Sequence, residues 1–198
     1  VELGTRFEGS GFIRPGDRLR FGENAYYARV DNFIDTLVTD FVFPPGPPPA
    51  TLFATTSQRN VDAELWGIEA EMDYDAGLWF AGLGVSLPRG KLRNGGALGS
   101  IPQDRLTATF GFRPHSDWEV GLRATFASGQ DDVPQTSVVG EAYQVLDAFA
   151  TWRPSNGIAE GMVFRVGVDN IFNEQYTIFP NDLPQPGQTI RVSAVFEF

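Results

Sequence analysis

Side chains along much of this chain alternate between apolar and polar at every second residue, and that period excludes most folds. A period of two sends successive side chains to opposite faces of a strand. In one segment Leu106, Ala108, Phe110 and Phe112 alternate with Arg105, Thr107, Thr109 and Gly111. In the next, Trp118, Val120, Leu122, Ala124 and Phe126 alternate with Glu119, Gly121, Arg123 and Thr125. Trp66, Ile68, Ala70, Met72 and Tyr74 oppose Glu69, Glu71 and Asp73. At the end, Ile190, Val192, Ala194, Phe196 and Phe198 alternate with Arg191, Ser193 and Glu197. No long window carries the period of 3.6 that a helix needs, and no apolar run reaches the roughly 18 residues of a membrane-spanning helix. The expected class is all-β.

Nine strands are expected: roughly Val1–Gly9, Arg18–Leu37, Arg59–Tyr74, Gly77–Ser86, Asp104–Arg113, Trp118–Ser128, Tyr143–Trp152, Met162–Asn170 and Gln188–Phe198. Most have the length of about ten residues that a tilted strand needs to cross a bilayer. The second and third are longer and are expected to rise above it. Two features separate a membrane barrel from a soluble sheet. The connections alternate in length. Short ones fall at Ser10–Asp17, Asp75–Ala76, Pro114–Asp117 and Arg153–Gly161, and long ones at Val38–Gln58, Leu87–Gln103, Gly129–Gln144 and Ile171–Gly187. Short inner turns and long outer loops are the barrel pattern. Large aromatics also gather at the short-turn end: Tyr74, Trp79, Phe112, Trp118 and Trp152. An interfacial girdle requires them there. A C-terminus on the periplasmic side then places every long loop outside.

Composition removes several function classes. The 198 residues contain no cysteine, one histidine (His115) and one lysine (Lys91), with a formal net charge of −10. Disulfides and thiolate metal sites are impossible, most histidine chemistry is excluded, and nucleic acid is disfavoured because neutralising phosphates takes a basic face. No Gly-x-Ser-x-Gly or His-Glu-x-x-His element occurs, and Gly82-Leu83-Gly84 has no lysine after it to make a phosphate loop. No enzymatic activity is expected. Val1-Glu2-Leu3-Gly4-Thr5-Arg6 is not a signal peptide, so the chain is expected to be processed or a fragment.

Four segments resemble the TonB-dependent receptor family. Val1-Glu2-Leu3-Gly4-Thr5-Arg6-Phe7 resembles a strand opening of the family. Asn60-Val61-Asp62-Ala63-Glu64-Leu65-Trp66-Gly67-Ile68-Glu69-Ala70-Glu71 resembles its Asn … Gly-Val-Glu strand. Val166-Gly167-Val168-Asp169-Asn170-Ile171-Phe172-Asn173-Glu174-Gln175-Tyr176 is similar to the segment before its final loop. Val192-Ser193-Ala194-Val195-Phe196-Glu197-Phe198 is similar to its closing strand. Gln188 departs from the arginine often found before that strand. The resemblance implies nine strands of an antiparallel up-and-down barrel of about 22, with residues 1–198 as its C-terminal part and with the plug and earlier strands outside this chain. It implies an outer-membrane receptor for TonB-energised uptake of an iron-bearing ligand. Ser100-Ile101-Pro102-Gln103-Asp104-Arg105-Leu106, with Tyr143-Gln144-Val145-Leu146-Asp147, looks most like the haem branch, and siderophore receptors share much of it.

The residues expected to face ligand are those of the outer loops: Arg93, Asp131, Asp132, Asn181 and Asp182. Glu69, Glu71 and Asp73 read as a lumen charge ladder paired with arginines such as Arg105 and Arg123. His115 reads as a solvated turn residue. Pro44-Pro45-Gly46-Pro47-Pro48-Pro49 reads as a stiff exposed loop. Phe196 and Phe198 resemble the signal read by the barrel-assembly machinery. The implied partners are outer-membrane lipid, a TonB complex reached through the N-terminal region, the assembly machinery and the iron complex itself, which is cargo rather than cofactor. Two other readings stand beside this one. A complete passive pore or adhesion barrel would close eight strands, bonding the second to the ninth. A soluble carbohydrate-binding sandwich would bury Phe110, Phe126 and Ile190 between two sheets.

Overall fold

The computed structural model describes residues 3–13, 18–39, 55–135 and 137–196. Nine long strands form one antiparallel sheet: β1 (Leu3–Ile13), β2 (Leu19–Thr39), β3 (Thr55–Asp75), β4 (Trp79–Leu92), β5 (Arg105–His115), β6 (Trp118–Ala127), β7 (Tyr143–Trp152), β8 (Met162–Asp169) and β11 (Thr189–Phe196). Two short strands, β9 (Thr177–Ile178) and β10 (Asn181–Pro184), pair with each other in the last long loop. Sheet order follows chain order, with β11 beside β8. Among the described residues β2 lies between β1 and β3, so the closed eight-stranded arrangement is not formed and the two edges stay apart.

Register carries the alternation across the sheet. Leu83, Ala108, Ala124 and Leu146 are successive partners from β4 to β7, and Trp66, Ile68, Ala70, Met72 and Tyr74 continue the same face on β3. This face is exposed. Phe110 is 56% accessible, Phe126 44% and Ile190 70%, so the sandwich, which needs these three buried, is excluded. An apolar face of this extent is unstable against water and matches the hydrocarbon of a bilayer. Glu23, between Phe21 and Ala25, places a charge within that band.

At the short-turn end the rings of this face approach one another in two series. Tyr74 and Trp79 lie 5.1 Å apart, Trp79 and Phe110 6.0 Å, Trp118 and Trp152 5.7 Å, and Trp152 and Phe164 5.2 Å. These are the aromatics expected at a membrane interface, joined by two phenylalanines.

The opposite face holds the little core there is, at the long-loop end. Ala63, Leu98 and Ile101 are buried with Phe33, Val61, Leu65 and Leu92 packed on them. A second cluster joins Ala127, Tyr143 and Val145 to Tyr176. Both form where long loops fold back over strands. A bulge between Val30 and Phe33 inserts one residue into β2, with Asn32 at φ 59°. It returns Phe33 to the face of Val30, and so lets the upper half of β2 join the first cluster.

Three expectations are corrected. The first strand runs on to Ile13, paired with Phe21, where a turn from Ser10 was expected. The fourth strand continues to Leu92, because Pro88 and Gly90 are strand residues paired with Gly67 and Leu65, not loop residues. Gly90 is needed there for close approach: a Cβ would stand 2.4 Å from Ile101 Cδ1 and 2.8 Å from Leu65 Cδ2. The turn that follows is tight, with Gly95 and Gly96 at φ 88° and 115°. The last long loop contains the β9–β10 hairpin. The proline-rich segment 44–49 lies outside the described residues.

Candidate functional site

The polar face of the sheet is a charged wall. The Glu69–Glu71–Asp73 row of β3 meets Arg20 of β2, which donates to Asp73 from Nε at 3.1 Å and Nη2 at 2.7 Å and stands 3.8 Å from Glu71. Among the described residues neither Arg105 nor Arg123 lies within ion-pair distance of the row, which corrects the pairing expected from sequence. Register explains this: Arg20 is the direct cross-strand partner of Asp73. Arg105 and Arg123 lie two and three strands away. Lower on the wall Arg113 joins Asp75, at 2.8 Å, to Glu119, at 3.1 Å. A trough of about 610 Å³ runs over Gly22 and Gly84, between Asn24, Glu69, Glu71 and Arg105.

At the long-loop end of β3 and β4 lies a second cavity, of about 460 Å³, lined by Arg59, Val61, Asp62, Leu92, Arg93 and Asn94. Its apolar part comes from Val61 and Leu92. Its two guanidiniums are held by carboxylates. Arg93 lies 2.5 Å from Asp31 and 3.7 Å from Asp62. Arg59 donates to Oδ2 of the fully buried Asp35 from Nε at 3.1 Å and Nη2 at 2.8 Å. Oδ1 of Asp35 accepts from the Gly99 amide and the Ser100 hydroxyl, both at 2.9 Å. The buried charge is thereby fully hydrogen-bonded, as burial requires. It fixes the β4–β5 loop against β2.

Asp131 and Asp132 are exposed in the β6–β7 loop and make no ion pair among the described residues. Asn181 and Asp182 begin β10, with Asn181 paired to Ile178. Arg93 stands in a different loop, with the β2 and β3 aspartates. His115 ends β5 and pairs with Trp118, and its Nδ1 accepts from the Asp117 amide at 3.3 Å in a turn. Phe196 ends β11 on the apolar face opposite Met162, and Phe198 lies outside the described residues.

Sequence reasoning missed three residues that organise the loops. Asp35 is one. Asn170 is another: at φ 52° and 3% accessible, it donates from its amide nitrogen to Asp147 and exchanges two hydrogen bonds of 2.8 Å with Glu174. It lies within one of the four resembling segments, which is the signal that could have found it. Gln103 is the third. Its Nε2 donates to the carbonyls of Ser128 and Glu141, both at 2.7 Å, and its Oε1 accepts from the Phe179 amide at 3.3 Å.

With a single open sheet, an apolar outer face and a charged inner face established, relatives can be compared. The family described as TonB dependent receptor-like, beta-barrel matches residues 1–171. The chain belongs to that family, whose members are outer-membrane receptors and not enzymes. It is 28% identical to a hemin receptor of Yersinia enterocolitica and 26% to one of Yersinia pestis, over 99% of its own length. It spans 28% and 27% of those relatives. Among solved structures it is similar to the copper transporter OprC, with TM-score 0.79 and 21% identity over 100% of this chain and 32% of that one. The FrpB iron transporter of Neisseria meningitidis gives TM-score 0.71 and 17% identity, over 98% of this chain and 31% of that one. These structural likenesses concern the fold.

Proposed function

We propose that this chain is the C-terminal part of a larger receptor barrel that captures an iron-bearing ligand, haem or a ferric siderophore, for TonB-energised uptake. The observation that carries this reading is the cavity beside Arg59 and Arg93. It joins apolar side chains to two positioned cations at the long-loop end of the wall. An apolar ligand body bearing carboxylates fits that combination. Haem has that form, and the likeness to hemin receptors over 99% of the chain supports it over a siderophore. The exposed carboxylates Asp131 and Asp132, with Asn181 and Asp182 in the neighbouring loop, would meet the ligand's outer side. The trough between Glu69 and Arg105 would line its path.

The partners follow from the same wall. Its apolar face meets lipid. Phe196 and Phe198 would present the closing strand to the barrel-assembly machinery. Contact with a TonB complex is assigned to receptor sequence preceding these strands, and a coding frame continuing upstream of Val1 through plug-like sequence would support it.

The test is titration of hemin and of a ferric siderophore into the intact receptor in detergent. Hemin should bind more tightly, and Arg93→Ala should weaken it about tenfold, as loss of a charge-assisted hydrogen bond implies. Unchanged hemin affinity in that variant would remove the cavity from the site. Binding of neither ligand would overturn the reading.

A further inference from the structure

Gln103 stands where three long loops meet, and both the nitrogen and the oxygen of its amide are engaged. The residue is 7% accessible. It lies at the end of the β4–β5 loop. The carbonyls of Ser128 and Glu141, to which its nitrogen donates, stand at the two ends of the β6–β7 loop. The Phe179 amide, which donates to its oxygen, lies in the turn of the β9–β10 hairpin. Nothing else in the chain spans these three loops with one side chain among the described residues.

The surroundings show why an amide is required. A carboxylate would offer only acceptors to two carbonyls that need a donor, and a lysine would offer only donors to the Phe179 amide. The loop ends it joins are independently closed. Gln130 and Gly140 exchange two backbone hydrogen bonds of 2.8 Å, and the Gln130 side chain donates back to the Ile101 carbonyl at 3.2 Å. The Ser128 amide donates to the Asp104 carbonyl at 3.0 Å. Phe179, 5% accessible, packs over Gly140 so closely that a Cβ there would stand 2.8 Å from its own Cβ. The hairpin is therefore held from both sides, by Gln103 beneath and Gly140 beside it.

We infer that Gln103 is a positioning residue that couples the β4–β5, β6–β7 and β8–β11 loops into one opening unit, so that ligand meets a pre-ordered surface instead of three independent loops. The inference rests on the proposal that these loops capture ligand. Preordering lowers the conformational cost of binding. Coupling means that disturbing one loop loosens the other two.

The experiment is amide hydrogen exchange on the intact receptor in detergent, wild type against Gln103→Leu, read at Ser128, Gly140 and Phe179, with hemin affinity measured beside it. Leucine fills the same space and removes all three hydrogen bonds. Exchange at all three amides should rise together, by about tenfold or more, while amides in the middle of β5, β6 and β7 stay protected. Hemin should bind more weakly, chiefly through slower association. Faster exchange at Phe179 alone would overturn the coupling and leave Gln103 a local cap. Gly140→Ala provides a second route should the leucine variant fail to fold. It displaces Phe179 from the other side and should loosen Ser128 as well, whereas an unchanged Ser128 amide would count against coupling. Exchange rising together without any wild-type affinity for hemin would uphold the coupling and sink the functional reading on which it rests.

Discussion

The ring of Phe80 lies across Gly111 on the neighbouring strand, so close that a Cβ on Gly111 would stand 2.0 Å from Cζ. The Arg113 guanidinium lies 4.5 Å from the centre of the same ring. Phe149 covers Gly121 in the same way, at 2.5 Å, and Tyr26 covers Gly67, at 2.6 Å. On the polar face away from the two loop-end clusters there is no core to bury an aromatic ring, so it is laid flat on a strand that lacks a side chain. Gly111→Ala forces that ring out and should cost about 1–3 kcal/mol, the usual range for overpacking. Gly84→Ala, with nothing within 4 Å, should be close to neutral. Equilibrium unfolding of both variants in lipid checks the difference, and equal effects would refute the argument from close approach.

The two faces of β4 predict opposite tolerance to charge. Leu83 points to the apolar band and Gly84 to the polar wall. Leu83→Arg should destabilise the barrel in a bilayer by about 2–4 kcal/mol, and Gly84→Arg by much less. The same reasoning predicts that Glu23→Leu, which removes a charge from the apolar face, raises the unfolding midpoint.

Loss of the Asp35 carboxylate should release the β4–β5 loop. Asp35→Ala leaves the Arg59 guanidinium, the Gly99 amide and the Ser100 hydroxyl without their acceptor. The expected local cost is about 2 kcal/mol, discounted because Arg59 is partly open to solvent. Limited proteolysis should then cut between residues 93 and 104 while the strands survive, and an uncut loop would contradict the latch.

Asp117 makes the Ser116–Asp117 turn sensitive to acid. Burial pushes its carboxyl upward, but the Ser155 hydroxyl and amide, the Ser116 hydroxyl and the His115 charge together hold it below the usual aspartate range. A depressed value means the folded turn favours the ionised form. Its contribution is therefore complete above the ordinary aspartate value of about 3.9 and is lost as pH falls through the lower folded value. Asp117→Asn should remove that component of the acid dependence, which pH-dependent exchange at the Ser155 amide would report.

Much of the wall was legible because alternation is local. Leu106 to Phe112 and Trp118 to Phe126 state their faces within a few residues, and Tyr74, Trp79, Trp118 and Trp152 state the interface. What escaped depends on contacts distant in the chain. Gly90 fell within the expected Leu87–Gln103 connection because Ile101, which needs its missing side chain, comes eleven residues later. Arg20 was overlooked as partner of Asp73 because only register brings them together across 53 positions. Gln103 lies in a segment that resembles the haem branch, but its role was not legible there, since its three partners lie on two other loops. Arg93 was readable only as an outer-loop cation. Its engagement by Asp31 and Asp62 lies beside the bulge at Asn32, which no periodicity announces.

The absence of cysteine makes the central claim directly measurable. Single cysteines placed in turn from Arg105 to Phe112, in the intact receptor reconstituted into vesicles and free of other thiols, would carry a fluorophore exposed to quenchers. The account predicts that labels at 106, 108, 110 and 112 are quenched by brominated lipid, and that labels at 105, 107, 109 and 111 are quenched by a water-soluble agent. Labels that respond alike at odd and even positions would contradict a strand with one face to lipid and one to a watery lumen.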